Sequence, residues 1–304
     1  MRRIRTLAGI GIAAAALLAL TACNSGTPTS TGTGGGTEEP SSSSTPWTVL
    51  TDVEIDGSPT FDRISSSGTV KVGVKEDQPG LGYLDPVTGE RTGFDVDIAR
   101  WMAASLGIDP DKIEFQAIAS ANREQAIVNG DIDYYVGTYS ITDKRKEQIS
   151  FAGPYFVTGQ GLLVASDSKI ESVDDLDSST TVCSATGSTP IQNIKTNYPE
   201  VPTKEYDTYS KCVEDLKNGQ VDAVTTDEAI LIGYAAQSPD QIKVVGEPFS
   251  EERYGIGLAK GDDALAEYFN TQLTDGGDIW QQIFDNNLGA SGVKATQPKV
   301  DPIG

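Results

Sequence analysis

The stretch Gly137-Thr-Tyr-Ser-Ile-Thr-Asp-Lys-Arg145 follows a strand-like run, residues 132–136, and predicts the start of a helix. Thr142 is a natural N-cap, because its hydroxyl can accept hydrogen bonds from the free N–H groups of a first helical turn. Arg145 then falls at about the third helical position, where a cation faces the positive end of the helix dipole. This local misfit indicates a functional residue.

An anion bound at this helix start would explain the misfit. Thr138, Ser140 and the backbone N–H groups from Gly137 onward could donate to the anion, and Arg145 could hold a carboxylate with two parallel hydrogen bonds. The alternative interpretation is a surface arginine on a polar loop. The sequence favours the anion site.

Residues 1–22 have the pattern of an export signal. A cluster of three arginines precedes an apolar run, residues 7–20, that is too short for an ordinary transmembrane helix. The signal ends in Leu20-Thr-Ala-Cys23, which resembles the lipobox of bacterial lipoproteins, where the cysteine carries the lipid. The alternative is a cleaved signal followed by a chance cysteine.

Residues 23–46 predict a flexible tether, because nearly all of them after Cys23 are Ser, Thr, Gly or Pro. The folded part is therefore expected to begin near Trp47. With a lipid on Cys23, the protein would sit at the extracytoplasmic face of the cell membrane.

The composition excludes several classes of function. A net charge of −21 argues against nucleic acid as a partner. The chain contains no histidine, which removes Ser-His-Asp and Cys-His catalysis and leaves no typical zinc site. We expect no cofactor and no metal. Cys183 and Cys212 are predicted to form a disulfide, since two cysteines of an exported chain pair more often than they stay free.

Strand-like and helix-like runs alternate from residue 69 onward, which predicts an α/β fold with mainly parallel sheets. The predicted strands are residues 69–74, 113–117, 132–136, 161–165, 181–183, 221–225, 242–245 and 255–259. The predicted helices are residues 94–106, 122–129, 209–217, 263–275 and 279–286, with two more near Pro190 and after Asp227.

A faint internal repeat points to a cleft. Asn129-Gly-Asp-Ile-Asp133 is echoed by Asn218-Gly-Gln-Val-Asp222, each between a helix and a strand. Five residues after each copy come Thr138 and Asp227, both at the carboxyl end of a strand, where open α/β sheets bind ligands. The dipeptide Asn-Gly is also common in ordinary turns, so it could recur by chance. The matched context favours two equivalent lobes that face one cleft.

The charges at these positions suggest an α-amino acid as ligand. Arg145 suits a carboxylate, and Asp227 suits an ammonium group, although Asp227 could instead cap a helix. Lys75 and Arg123 are two further cations that could read an acidic side chain, or could be solvated surface cations. Ser188 and Thr189 begin a predicted helix and either donate to the ligand or simply cap that helix.

Five motifs in this order resemble the extracytoplasmic solute-binding proteins of polar amino-acid ABC transporters, family 3. They are Gly93-Phe-Asp-Val-Asp97, the stretch from Gly137 to Arg145, Phe151-Ala-Gly-Pro-Tyr155, Gly187-Ser-Thr189 and Val221-Asp-Ala-Val-Thr-Thr-Asp227. Within the family, the segments around Asp77, Cys183 and Cys212 are most similar to glutamate-binding lipoproteins of actinobacteria.

The resemblance implies roles for the candidate residues. Arg145 would grip the ligand α-carboxylate with help from Thr138 and Ser140, and Ser188 and Thr189 would complete the cage. Asp227 would take the α-ammonium group. Arg123 matches the position of an arginine that holds the side-chain carboxylate in glutamate and aspartate binders, and Lys75 lies near a second such cation. Many members carry an aromatic ring where this chain has Ser120, which weakens an arginine, lysine or histidine ligand and leaves glutamine open.

The implied fold is a two-lobed, type II periplasmic-binding-protein-like fold, with two sheets joined by hinges near residues 156–161 and 246–251. The expected divisions are residues 47–157 plus 250–290 for the first lobe, 158–249 for the second and 291–304 for a tail. A monomer that closes over its ligand and then docks on a membrane permease is implied.

The sequence therefore predicts a membrane-anchored receptor for L-glutamate, with aspartate as a further ligand. A glutamine receptor is the alternative within the same class. A lipoprotein sensor that reports amino acid to a membrane partner is a second alternative. An enzyme is disfavoured, because Lys75, Glu76 and Asp77 are the candidate acid–base groups near the cleft and the chain has no histidine.

Overall fold

The structure is a computed structural model that describes residues 45–303. The predicted export signal, Cys23 and the tether up to residue 44 lie outside the described residues. Between residues 45 and 303, no helix is long and apolar enough to cross a membrane.

Five strands form the first sheet, in the order β5-β1-β6-β13-β7. Their bounds are β1 (Val70–Val74), β5 (Ile113–Ala117), β6 (Tyr134–Tyr135), β7 (Ser150–Thr158) and β13 (Glu252–Leu258). β5, β1 and β6 run parallel, whereas β13 pairs antiparallel with both β6 and β7. The first sheet thus has a parallel core of three strands and an antiparallel edge.

The second sheet repeats this plan, in the order β10-β9-β11-β8-β12. Its strands are β8 (Gln160–Ala165), β9 (Val182–Ala185), β10 (Thr203–Tyr206), β11 (Ala223–Asp227) and β12 (Ile242–Val245). β10, β9 and β11 are parallel, and β8 pairs antiparallel with β11 and β12. A small antiparallel ribbon, β2 (Asp77–Gln78), β3 (Gly82–Leu84) and β4 (Arg91–Thr92), accompanies the two sheets. The predicted two-sheet α/β fold is confirmed.

The chain crosses between the sheets twice, at adjacent places. It passes from β7 to β8 through Gly159 and returns between β12 and β13 through residues 246–251. A Cβ on Gly159 would lie 2.4 Å from the backbone oxygen of Ser250, so only glycine lets the two crossing segments pack this closely. The backbone N–H of Gln160 also donates to Ser250 Oγ, at 3.1 Å.

Nine α-helices pack around the sheets within the described residues. They are α1 (Pro59–Ser67), α2 (Phe94–Ser105), α3 (Arg123–Val128), α4 (Asp143–Lys146), α5 (Thr189–Asn197), α6 (Tyr209–Lys217), α7 (Glu228–Gln237), α8 (Asp263–Asp275) and α9 (Gly277–Asn287). The sequence did not predict α1, β7, β10 or the ribbon. β7 escaped prediction because Gly153 and Pro154 lie within it and are usually signs of a turn.

The predicted disulfide is present and joins β9 to α6 through Cys183 and Cys212. Both cysteines are fully buried. Closing a loop of this length stabilises a protein by about 3–4 kcal/mol in the chain-entropy model. The disulfide therefore fixes α6 against the second sheet, at the same edge of the sheet where α5 and α7 begin.

The end of the described chain is anchored to the first sheet. Asp301 forms an ion pair with Arg253 of β13, with Nη2 and Oδ1 2.7 Å apart. The backbone N–H of Asp301 donates to Gly153 O at 2.7 Å, and its carbonyl accepts from Asn270 of α8 at 2.9 Å. The predicted tail thus packs on β7, β13 and α8.

Candidate functional site

The loop between β6 and α4 is held in an unusual backbone conformation. Thr138 has a φ of 45°, in the left-handed region that non-glycine residues rarely adopt. The buried carboxylate of Asp95 accepts from the backbone N–H of Thr138 at 2.8 Å and from the hydroxyl of Tyr155 at 2.8 Å. Burial raises the pKa of Asp95 to about 6, against the opposing effect of these two donors. Asp95 therefore fixes the loop that carries Thr138 and Ser140.

Arg145 is the third residue of α4, as predicted, because Thr142 Oγ1 accepts from its backbone N–H at 3.3 Å. Its side chain is 8% exposed and makes three hydrogen bonds. Nε donates to Glu124 at 3.0 Å, Nη1 to the carbonyl of Ser140 at 2.6 Å and Nη2 to the carbonyl of Gly187 at 3.2 Å. The last contact joins the first-sheet loop to the start of α5.

Arg123 is also buried, with 2% of its surface exposed. Its Nε donates to the carbonyl of Ser120 at 3.1 Å and Nη1 to the carbonyl of Thr138 at 3.3 Å. The guanidinium carbons of Arg123 and Arg145 lie 4.3 Å and 4.9 Å from the ring centroid of Tyr139. Cation–π attraction to this one ring partly offsets the cost of burying two like charges together.

Lys75 completes a cluster of three buried cations. Its Nζ donates to Ser120 Oγ at 2.8 Å. Burial, followed by the charge of Arg123, lowers the pKa of Lys75 to about 7, although the nearby Asp77 opposes this shift. Among residues 45–303, these three cations form one ion pair, between Arg145 and Glu124. The interpretation of Lys75 and Arg123 as solvated surface cations is wrong.

Asp227 supplies the opposite charge at the end of β11. It is 3% exposed, and its Oδ2 accepts from the hydroxyl of Tyr254 at 2.6 Å. Its Oδ1 is buried and has no hydrogen-bond partner within the described part of the chain. Asp227 occupies the N-cap position of α7, but its side chain makes no capping hydrogen bond there. Burial, and next the charge of Glu252, raises the pKa of Asp227 well above its usual range.

The start of α5 faces the Arg145 loop. Ser188 is the N-cap of α5, because its Oγ accepts from the backbone N–H of Ile191 at 3.3 Å. Thr189 Oγ1 lies 3.2 Å from Ser140 Oγ and donates to Glu252 at 2.9 Å. A Cβ on Gly187 would come within 2.7 Å of Ala121 Cα, so glycine permits this close approach of the two sides.

A cavity of about 450 Å³ lies between these elements. Ser120, Glu124 and Arg145 line one side, and Gly187, Ser188 and Thr189 line the other. Lys75 lines a second cavity of about 170 Å³ together with Asp77 and Thr208. Ser120 connects the two, since it lines the larger cavity and accepts the hydrogen bond from Lys75.

The structure thus brings most of the predicted residues into one connected network. Ser140 contacts both Arg145 and Thr189, and Lys75, Ser120 and Arg123 form the adjoining group. Four contributors escaped prediction: Glu124, Glu252, Tyr139 and Tyr254. Each acts through a contact with a residue distant in sequence, which no local pattern reveals. Among the described residues, no group of three or more His, Cys, Asp or Glu could hold a metal ion.

Two sheets with the same plan, crossed twice by the chain and lined by charges at their strand ends, define the type II periplasmic-binding-protein-like fold. The sequence profile of the bacterial extracellular solute-binding proteins, family 3, matches residues 70–278. The chain belongs to this family. The resemblance found in its motifs is therefore confirmed.

Individual relatives are similar over most of the chain. It is 44% identical over 241 residues to the glutamate-binding protein GluB of Corynebacterium glutamicum, a match that covers 75% of this chain and 81% of that protein. It is 45% identical over 204 residues to the glutamine-binding protein of Geobacillus stearothermophilus, covering 67% and 78% of the two chains. Among solved structures, the cysteine-binding protein from Campylobacter jejuni superposes with a TM-score of 0.74 at 28% identity, covering 79% of this chain and 99% of the other.

Proposed function

We propose that this protein is an extracytoplasmic receptor that binds L-glutamate between its two sheets and delivers it to an ABC permease. The observation that carries the proposal is the arrangement of buried charge. Three cations lie on one side of the site, with a single acid as ion-pair partner in the described chain, and Asp227 lies on the other. An α-amino acid with an acidic side chain offers the opposite charges.

Each end of the ligand has a set of partners. Arg145 would hold the α-carboxylate, in place of its ion pair with Glu124, and Gly137, Thr138 and Ser140 would present further donors from the same loop. Ser188 and Thr189 would close the carboxylate cage from the start of α5. The unpartnered Oδ1 of Asp227 would accept from the α-ammonium group.

Lys75 and Arg123 would read the side chain of the ligand. Both are buried and both bond to Ser120, through its hydroxyl and its carbonyl. An amide side chain would leave two buried cations without a negative partner, which is costly in a desolvated site. This observation favours glutamate, and aspartate after it, over glutamine. The names of the two relatives, one glutamate-binding and one glutamine-binding, support either ligand.

The remaining parts of the proposal concern placement and output. Cys23 would carry a lipid that anchors the chain outside the membrane, with residues 24–46 as tether. Residues 47–157 plus 250–290 would move against residues 158–249 as the cleft closes. The ligand would favour the closed form because it binds that form more tightly than the open form. A lipoprotein sensor would use the same site with a different output, and deletion of the gene separates the two by loss or retention of glutamate uptake. We propose no catalytic activity.

Calorimetric titration of the purified, ligand-stripped protein with glutamate, aspartate, glutamine and asparagine tests the choice of ligand. Tighter binding of the two acids than of their amides is expected. In Arg123→Ala, glutamate should lose more affinity than glutamine. A preference of the unmodified protein for glutamine, or equal losses for both ligands in the variant, would contradict the roles of Lys75 and Arg123.

A further inference from the structure

One hydrogen bond connects the first sheet directly to the acid at the site. The Tyr254 hydroxyl, on β13, donates to Oδ2 of Asp227, at the end of β11 in the second sheet, over 2.6 Å. Both side chains are buried, with 0% and 3% of their surface exposed. Along their strands, Tyr254 lies opposite Phe156 and Asp227 lies opposite Gln160, so the bond runs beside the segment where β7 passes into β8.

The backbone of Tyr254 holds the loop on the other side of the site. Tyr254 forms an antiparallel bridge with Ser140. The flanking hydrogen bonds run from the N–H of Ile141 to the carbonyl of Arg253, at 2.8 Å, and from the N–H of Gly255 to the carbonyl of Tyr139, at 2.9 Å. One residue therefore contacts both the proposed carboxylate loop and the proposed ammonium acid.

The ring of Tyr254 is fixed by aromatic packing. Its centroid lies 5.6 Å from that of Phe156 and 6.2 Å from that of Tyr155. Because tightly packed rings of this kind leave little freedom for the side chain, the hydroxyl is a donor at a constant position. Asp227 is thus held with Oδ2 satisfied and with Oδ1 left as its free acceptor.

The groups around Asp227 act on its charge in opposite directions. Burial and the negative charge of Glu252 raise the pKa of Asp227. The Tyr254 hydroxyl and the positive charges of Arg123 and Arg145 lower that pKa. Burial, and next the charge of Asp227, raises the pKa of the Tyr209 hydroxyl. Of the groups that favour the anion, Tyr254 has the largest effect and is the one in direct contact.

We propose that Tyr254 is a positioning residue for ligand binding: it sets the spacing between the carboxylate loop at Ser140 and the acid Asp227, and it favours the ionised form of Asp227, which receives the ammonium group. The α-carboxylate and α-ammonium groups of every amino acid have the same spacing, so this role serves the amino-acid class rather than one side chain. The inference rests on the proposed function for its binding arm, whereas its effect on Asp227 does not require a ligand.

The first arm of the test follows Asp227 without any ligand. Carbon-13 labelling of the aspartate carboxyl groups gives a pH titration by NMR, and Asp227→Asn identifies the signal. In Tyr254→Phe the titration midpoint of Asp227 should move to higher pH, because loss of a donor to the anion raises an acid's pKa. Tyr134→Phe is the matched control, since Tyr134 is a buried tyrosine of the same sheet that donates to the carbonyl of Ala99. An unchanged midpoint in Tyr254→Phe overturns the proposal.

The second arm measures L-glutamate affinity against pH. Tyr254→Phe should bind about 10- to 100-fold more weakly near the midpoint, the effect of one hydrogen bond to a charged group, and the loss should shrink as the pH rises. No loss at any pH, or a loss that Tyr134→Phe matches, overturns the proposal. If the unmodified protein binds no amino acid at any pH, the proposed function fails, while the first arm still decides the role of Tyr254.

A readout in the unmodified protein covers the case in which Tyr254→Phe does not fold. The Cζ signal of Tyr254 should titrate with the same midpoint as the Asp227 carboxyl, because the two groups share one hydrogen bond. This titration should disappear in Asp227→Asn. A Cζ signal that does not shift as Asp227 ionises contradicts the proposal.

Discussion

The two sides of the site meet the same demand, a buried charge, by different means. On the first-sheet side, Lys75, Arg123 and Arg145 are surrounded by backbone carbonyls, the ring of Tyr139 and the carboxylate of Glu124. On the second-sheet side, Asp227 has one tyrosine hydroxyl. In a chain of net charge −21, the positive side must be built from local residues. In the proposed function, the cationic side would therefore bind two acidic groups of a ligand, and the acidic side would bind one basic group.

Removal of Arg145 breaks the cationic side and has the largest expected effect. Arg145→Ala should weaken glutamate binding by roughly 100- to 5,000-fold, because the ligand carboxylate and Glu124 would both lose their buried partner. Calorimetric titration measures the loss. Lys146→Ala is the control, since Lys146 is an exposed cation of the same short helix. Comparable losses in the two variants would refute a specific role for Arg145.

Removal of the charge of Asp227 breaks the acidic side. Asp227→Asn should weaken glutamate binding by about 30- to 1,000-fold, since the ammonium group would face a neutral amide. The ligand-free protein should become more stable at pH 7. The reason is that the pKa of Asp227 is raised in the folded state, so its ionised form opposes folding at any pH above the unfolded value.

Thermal unfolding tests the second half of this prediction. Each kcal/mol gained should raise the melting temperature by about 2–4 °C, and the gain should fade as the pH drops towards 4. A variant that melts lower than the unmodified protein at pH 7 would show that Asp227 stabilises the fold.

The charge of Lys75 should distinguish a ligand with a side-chain carboxylate from one with a side-chain amide. Its pKa is lowered to about 7, so the free protein loses this charge as the pH rises through neutrality. A ligand carboxylate favours charged Lys75, and glutamate binding should therefore take up a proton. Glutamate affinity should fall by up to about tenfold per pH unit above 7, while glutamine affinity changes less. Titrations between pH 6 and 8.5 in buffers of different ionisation enthalpy measure both effects. Parallel pH profiles for the two ligands would show that Lys75 does not bind the side chain of the ligand.

The contact between Gly233 and Pro79 lies outside the site, where the two sides of the molecule meet. A change at this contact has the smallest expected effect. A Cβ on Gly233, inside α7, would lie 2.3 Å from the carbonyl oxygen of Pro79 in the ribbon. Gly233→Ala should weaken binding about fivefold, the cost of mild overpacking in the closed arrangement. The ligand-free protein should be no less stable, because alanine favours a helix interior. Lower stability without a change in affinity would mean that the two sides do not separate.

The sequence predicted much of the fold, because its signals were local. The hydroxyl of Thr142 was enough to place Arg145 in the first turn of α4, and the alternating runs predicted the α/β class. Cys183 and Cys212 were paired from the exported character of the chain. β7 was missed because Gly153 and Pro154 are usually signs of a turn, although pairing with the one neighbouring strand, β13, holds this segment extended.

The candidate site could be predicted only in its outline. Arg123 and Arg145 stood out because each is a cation at a helix start, and Asp227 because it ends a strand. Their partners gave no such signal. Glu124 lies 21 residues from Arg145, and Tyr254 lies 27 residues from Asp227, in different elements that only the folded chain brings together. Asp95 was part of a recognised motif, but its hold on Thr138 depends on a left-handed backbone that the sequence does not reveal.

A crystal structure of the protein with L-glutamate bound would test the central claim most directly. The account predicts the α-carboxylate on the guanidinium of Arg145, the α-nitrogen within hydrogen-bonding distance of Asp227 Oδ1, and the side-chain carboxylate between Lys75 and Arg123. Glutamate bound in the reverse orientation, or bound without contact to Asp227, would contradict the division of the site into a cationic and an acidic side.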